Sequence, residues 1–164
     1  MTLLVPFDAS PLASKALEKA STFGDLLDEE LVVLTVIPDD AEYARDRGWI
    51  TEGEPFNADA IETGIQNRAS EIAPEATYRT ERVSSDEPTA TSTTNVVREI
   101  RRIAAEIGAS VVFIGSENAG SVIAPQSSVG NPVASDHRYD VYVVREPGGE
   151  IDPAELADID STID

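Results

Sequence analysis

Short apolar runs alternate along the chain with segments in which apolar residues recur every three or four positions. The runs are Leu3 to Phe7, Leu31 to Ile37, Ser110 to Ile114 and Val141 to Val144. Runs of this length, rich in Val, Ile and Leu, are typical of strands buried on both faces of a parallel sheet. The pattern therefore predicts four strands.

The segments between these runs carry the start and stop signals of helices. Ser10 precedes a proline and begins an apolar stripe that continues to about Leu27. Asn57 begins a second stripe, which Pro74 stops, and a third follows the loop from Ser84 to Thr94 and ends at Gly108. Side chains such as Ser and Asn cap helix starts, whereas proline and glycine end helices. Three helices are expected at these places.

One further segment, Thr77 to Val83, alternates polar and β-forming residues, as a strand at the rim of a sheet does. Strands that alternate with helices are joined by right-handed crossovers, which favours a parallel sheet covered on both faces. The predicted fold class is therefore α/β, with an open five-stranded parallel sheet. Its 164 residues suit one domain, predicted at 1–145 and followed by an acidic C-terminal tail at 146–164.

Residues 39–57 form a long connection that has little periodicity. Such a connection inside a compact domain is functional, mobile or partly helical. It contains Tyr43 and Trp49, and Phe56 lies near its end. The sequence leaves two interpretations open for these rings: they pack against the domain, or they form a flap over a site.

The charge balance excludes two classes of partner. Thirty-one acidic residues against twelve basic ones give a formal net charge of −19, and only Lys15 and Lys19 are lysines. Nucleic acids and anionic membranes need a basic face, so neither is an expected partner. A surface rich in acids and poor in lysine is typical of a halophilic protein, because concentrated salt screens its self-repulsion.

The absence of cysteine and of long apolar runs bears on the chemistry and on the cellular location expected for the protein. It contains no cysteine, which excludes disulfides, thiolate metal sites and a cysteine nucleophile. No signal peptide opens the sequence and no apolar run reaches the roughly 18 residues that span a bilayer. We therefore expect a cytoplasmic protein.

Two loops that follow buried strands carry candidate chemistry, because ligands of open parallel sheets collect at the carboxyl ends of strands. In the first loop, Asp8 is a candidate for bonding a ribose hydroxyl or Mg²⁺, and the amides after Ser10 could meet an anion. The second loop begins at Gly115 and Ser116, and its small residues let backbone amides approach phosphates. For both loops the alternative is that these residues only cap helices or form turns.

Other candidate motifs are weaker. The loop after Gly115 is not a P-loop, since Ser121 and Val122 stand where lysine and a hydroxyl residue are required. The hydroxyls at Ser127 and Ser128 suit either a phosphate or a plain helix cap. His137, the single histidine, is expected in a surface turn, and no catalytic residue is predicted.

The order of elements and several local sequences together resemble the universal stress protein family, of the UspA type. Val5 to Ser10 is similar to the family's first strand and its D-x-S turn. Leu31 to Pro38 resembles its second strand, Ile100 to Ser116 its helix and fourth strand, and Val141 to Arg145 its closing strand. The resemblance covers about residues 2 to 145.

The resemblance implies a Rossmann-like, adenine nucleotide alpha hydrolase-like sheet of strand order 3-2-1-4-5 and a role in stress response. It also implies a homodimer formed through Val141 to Val144 and a site for ATP or another adenine nucleotide. Mg²⁺ held through Asp8 is the metal site that the turn itself predicts. A weak ATPase and a nucleotide-free interaction module are the alternatives. The implied nucleotide-binding residues are Pro6, Phe7, Asp8, Ala9, Ser10, Val36, Gly115, Ser116, Gly120, Ser127, Ser128 and Val129.

The family's phosphate-binding segment, G-x2-G-x9-G-[S/T], is only partly matched. Gly115 takes the place of its first glycine, whereas Asn118 stands at the second. Gly120 and Gly130 keep the nine-residue spacing, but Asn131 then occupies the hydroxyl position. No Lys or Arg lies between Gly115 and Ser128, so amides, a helix start or a metal would have to meet the phosphate charge.

Overall fold

The structure is a computed structural model that describes residues 1–84, 91–116 and 139–145. These residues form five strands and four helices: β1 (Thr2–Pro6), α1 (Pro11–Leu27), β2 (Glu30–Pro38), α2 (Ala41–Asp46), α3 (Ala58–Ile72), β3 (Thr77–Val83), α4 (Ser92–Glu106), β4 (Ala109–Gly115) and β5 (Asp140–Val144). The predicted strands and the three predicted helices are all present. The acidic tail, 146–164, lies outside the described residues.

All five strands pair in parallel, in the order β3-β2-β1-β4-β5. This confirms the predicted fold class and strand order. Leu4 of β1 lies at the centre of the sheet, between Val32 of β2 and Val112 of β4. Because the chain runs outward in both directions from β1, the order reverses between β1 and β4, which is where such sheets bind ligands.

Helices cover both faces of the sheet. Helices α1 and α3 pack on one face, in a core that includes Leu3, Val5 and Leu17. Helix α4 packs on the other face, where its Ile103 shares a core with Leu4 of β1. Neighbouring residues of β1 therefore serve opposite cores, as the two-residue period of a strand requires. Across the described ranges, no helix is both long and apolar enough to cross a membrane.

The long connection after β2 is partly helical, as one of the interpretations above allowed. Helix α2 has only six residues, and Asp40 caps its start by accepting a hydrogen bond from the Tyr43 amide at 3.1 Å. Six residues are too few to show an apolar stripe, which explains why periodicity does not reveal this helix. The segment returns over the carboxyl end of β1, next to Asp8.

The predicted caps of α1 and α3 are confirmed, whereas α4 begins at Ser92, inside the loop predicted to run to Thr94. Ser10, Asn57 and Thr91 each accept a hydrogen bond from a backbone amide of the first turn of α1, α3 and α4, respectively. Gly108 has a φ of +64° just after α4, a conformation that glycine adopts without steric cost. Local sequence signals thus fix where α1, α3 and α4 begin and where α4 ends.

Candidate functional site

A cleft opens at the carboxyl ends of β1, β2 and β4, at the point where the strand order reverses. Its floor and walls are mostly apolar, and its mouth carries a few polar side chains. The residues that line it are Pro6, Phe7, Asp8, Ser10, Leu12, Ala13, Leu34, Val36, Tyr43, Arg47, Thr93, Val96, Val97, Ile100, Ile114 and Gly115. An apolar cleft with a small number of convergent polar groups is the usual form of a small-molecule site.

The segment after β1 is fastened to β2 before it enters the cleft. The Phe7 amide donates to the Leu34 carbonyl at 2.8 Å, and the Phe7 carbonyl accepts from the buried Thr35 hydroxyl at 3.0 Å. These bonds satisfy both backbone groups of Phe7, whose side chain is buried in the core. They fix the position from which the next residue, Asp8, projects.

Both carboxylate oxygens and the backbone carbonyl of Asp8 bind other groups of the protein. One carboxylate oxygen accepts from the Ser10 amide at 2.9 Å, and the other pairs with the Arg47 guanidinium. The Asp8 carbonyl accepts from the Trp49 indole nitrogen at 2.8 Å. Between these partners, Ala9 has a φ of +63°, which is strained for a residue with a Cβ. The turn is therefore built to hold one conformation.

Arg47 and Tyr43 lie together on one side of the cleft, and Trp49 packs against Tyr43 from outside the cleft lining. The guanidinium carbon of Arg47 lies 4.7 Å from the centre of the Tyr43 ring, and Trp49 meets Tyr43 edge-on at 5.6 Å between ring centres. A cation over an aromatic face is attracted by the ring quadrupole. Burial raises the pKa of Tyr43, so its phenol stays neutral at ordinary pH.

The aromatic rings of the connection thus have different positions. Tyr43 lines the cleft, and Trp49 bonds the turn at its edge, whereas Phe56 packs against the core. Packing against the domain, one of the two interpretations, is confirmed, and it also brings Tyr43 to the cleft. A flap over a site stays a prediction. The sequence did not single out Arg47. The one signal in the sequence was that a basic residue follows the carboxyl end of a strand, in a chain that has few basic residues.

Gly115 closes the cleft on the β4 side. A Cβ built on it would lie 2.8 Å from Cγ and 2.9 Å from Cδ2 of Leu12, closer than ordinary carbon contacts allow. Leu12 is itself buried and lines the cleft. Glycine is therefore required here for close approach between β4 and α1.

The structure brings together half of the predicted nucleotide-binding residues. Pro6, Phe7, Asp8, Ser10, Val36 and Gly115 all line the cleft. Ala9 faces a neighbouring groove beside Trp49, and Ser116 follows β4 without lining the cleft. The predicted residues Gly120, Ser127, Ser128 and Val129 lie outside the described residues, as does His137.

The structure does not place further metal-binding side chains around Asp8 in the residues that it describes. Within the described parts of the chain, no group of three acidic or histidine side chains could hold a metal ion. The Asp8 carboxylate is paired with Arg47, so a magnesium ion would have to compete with that cation. Magnesium binding through Asp8 stays a prediction.

A polar contact joins α2 to α4 at the mouth of the cleft. The Ser92 hydroxyl donates to the second carboxylate oxygen of Asp40 at 2.6 Å, and Thr93 lines the cleft beside it. The hydrogen bond from Ser92, followed by that from the Tyr43 amide, lowers the pKa of Asp40 below its ordinary value. The charged form of Asp40 thus ties the two helices together.

We expect the contact between Asp40 and Ser92 to make the free energy of unfolding depend on pH. Because the pKa of Asp40 is lower in the folded state, its contribution is present above the unfolded value near 4 and is lost as pH falls below it. Asp40→Asn keeps a capping side chain but cannot titrate, whereas Asp40→Ala also loses the cap, at about 1 kcal/mol. Urea unfolding at pH 7 and pH 3 measures both effects.

The control for this experiment is Asp46→Asn, an exposed substitution in the same helix. The difference in unfolding free energy between the wild type and Asp40→Asn should shrink at pH 3, and Asp46→Asn should show no matching change. An Asp40→Asn difference of equal size at both pH values would contradict the role of the Asp40 charge.

Comparisons with known proteins agree with this fold. The hypothetical protein MJ0577 superposes with a TM-score of 0.55 at 19% identity, covering 88% of this chain and 95% of that one. A universal stress protein from Archaeoglobus fulgidus in complex with dAMP gives a TM-score of 0.53 at 16% identity, covering 88% and 97%. No curated protein sequence matches the chain.

Family membership is decided by sequence. The model of the universal stress protein family matches residues 1–145, which is the whole predicted domain. That match agrees with the resemblance found in the turn after β1 and in the segment from α4 to β4. On this evidence, the chain belongs to the universal stress protein family.

Proposed function

We propose that this universal stress protein binds an adenine nucleotide in the cleft at the ends of β1, β2 and β4, as a regulatory ligand in stress response. The observation that carries the proposal is the pairing of an apolar slot with a fixed carboxylate at the reversal point of the sheet. The structurally similar protein from Archaeoglobus fulgidus, which is in complex with dAMP, supports the choice of an adenine nucleotide.

Each part of the cleft suits one part of such a ligand. Val36, Val97 and Ile100 offer apolar surface on which a flat purine base can pack. Asp8 lies at the edge of this surface, where its carboxylate can accept a hydrogen bond from a ribose hydroxyl. ATP with Mg²⁺ on Asp8 is the fuller form of the proposal, in which the loop after Gly115 meets the phosphates.

Binding is tested by identifying bound nucleotide and by measuring thermal stability. Protein purified without added nucleotide is denatured, and the released small molecules are identified by mass spectrometry. In parallel, melting is followed with and without AMP or ATP and Mg²⁺. A ligand at about 100 times its dissociation constant adds about 2.7 kcal/mol, which raises the melting temperature by about 5 to 10 °C.

A matched pair of variants places the ligand in the cleft. Thr93→Tyr adds a bulky ring at an exposed residue of the cleft mouth and should remove most of the shift. Lys19→Tyr adds the same ring at an exposed position of α1 that does not line the cleft, and should leave the shift intact. Folded wild type that releases no nucleotide and shows no shift would contradict the proposal and favour the nucleotide-free interaction module.

A homodimer through Val141 to Val144 belongs to the same proposal. Strand β5 lies at the edge of the described sheet, and Tyr142 in it is 39% exposed. An edge strand with apolar side chains is a natural place for pairing between chains. Adaptation to concentrated salt is proposed on the charge pattern, and cytoplasmic location is proposed on family membership.

A further inference from the structure

Arg47 is the only basic residue among the described residues that line the cleft. It reaches the cleft from the connection after α2, and its side chain is 27% exposed. The contacts to Asp8 and to the Tyr43 ring hold the guanidinium in place. A cation that is held at the wall of a cleft, rather than free in solvent, loses little entropy when it binds an anion.

The geometry leaves Arg47 able to bind more than its present partner. A guanidinium has five N–H donors in a planar fork, and the ion pair with Asp8 involves one of its terminal nitrogens. Such a fork matches the oxygens of a phosphate and can bind them in a bidentate manner. Arg47 could therefore stay paired with Asp8 while its other N–H groups donate hydrogen bonds to an anion.

The charge of the surroundings makes this cation important. The chain carries a formal net charge of −19, and residues 115–128 contain no Lys or Arg. A phosphate near Asp8 would meet an unfavourable negative field unless a nearby cation offset it. Among the described residues of the cleft wall, Arg47 alone supplies that positive charge.

We propose that Arg47 recognises the phosphate group of the nucleotide, so that the cleft selects nucleotides over nucleosides. The proposal rests on the function proposed above and assigns recognition of the phosphate to the residue that follows α2. Its distinctive consequence is that loss of Arg47 affects only ligands that carry phosphate.

The experiment is isothermal titration of the full chain with adenosine and with AMP. Wild type should bind AMP at least about tenfold more tightly than adenosine, as expected for a charge-assisted contact. Arg47→Ala should abolish that preference and leave adenosine affinity within about twofold. Arg47→Lys, which keeps the charge but not the fork, should retain part of the preference.

Two controls separate binding from folding. Arg45→Ala removes the same charge from an exposed position of α2 and should leave both affinities unchanged. Arg47→Gln keeps polar donors beside Asp8, so it can be measured if the alanine variant unfolds; circular dichroism checks each fold.

Equal losses for adenosine and AMP would overturn the proposal, because they would show that Arg47 only supports the turn. Unchanged AMP affinity in Arg47→Ala and Arg47→Gln would overturn it as well, while the proposed nucleotide function stands. Wild type that binds neither ligand would overturn the proposed function and this inference together.

Discussion

Replacing Phe113 by alanine is expected to lower the free energy of unfolding by about 3 to 5 kcal/mol. Phe113 in β4 is 2% exposed. Its ring centre lies 5.6 Å from that of Phe23 in α1 and 5.1 Å from that of Tyr142 in β5. Truncation leaves a cavity where these three elements meet, and aromatic pairs contribute beyond the area that they bury. Urea unfolding followed by circular dichroism measures the loss.

Phe23→Ala is the matched control for this prediction. Phe23 contacts the same rings but is 36% exposed, so its truncation opens the cluster to water instead of creating a closed cavity. Its loss should be clearly smaller than that of Phe113→Ala. If the two variants lose equal stability, or if Phe113→Ala loses less than about 1 kcal/mol, the cluster does not hold β4 against α1 as described.

Gly115→Val is expected to abolish measurable nucleotide binding and to cost about 1 to 3 kcal/mol of stability. The first added carbon would already lie 2.8 Å from Leu12, and the branch methyls of valine need further space. Leu12 forms part of the cleft wall, so relief of the clash must move the wall. The melting shift with AMP reports binding, and urea unfolding reports stability.

Two further variants identify the clash as the cause. The double variant Leu12→Ala with Gly115→Val should lose less unfolding free energy than the sum of the two single losses, since the two side chains are in contact. Gly64→Ala makes a glycine substitution in α3, where an added Cβ meets nothing within 4 Å. It should raise stability by about 0.5 to 1 kcal/mol. Unchanged nucleotide binding in Gly115→Val would show that the ligand does not approach β4 here.

The elements of the fold were readable from the sequence where one signal decided them. The run Leu31 to Ile37 is apolar except for Thr35, and it makes up all of β2 except the first and last residue of that strand. Alternation in Thr77 to Val83 marked β3 as an edge strand with its observed bounds. Asn57 and Gly108 marked helix ends because their side chain and backbone, respectively, suit those positions.

The candidate site was only half readable, because its remaining contacts join residues that are distant in sequence. Asp8 followed from its place after a buried strand, but its partner Arg47 lies 39 residues away in a segment without periodicity. No local sequence pattern indicates which basic residue forms an ion pair with which carboxylate. The close approach of Gly115 to Leu12 is hidden in the same way, since it depends on how α1 packs on β4.

Trp49 gives the protein an optical property that follows from one hydrogen bond. It is the single tryptophan of the chain, and its indole nitrogen donates to the carbonyl of Asp8. Indole fluorescence moves to longer wavelength when the ring becomes exposed to water. When the unlabelled protein is excited at wavelengths that tryptophan absorbs and tyrosine does not, emission therefore arises from the edge of the cleft alone. Any event that separates Trp49 from Asp8 should then shift the emission maximum in real time.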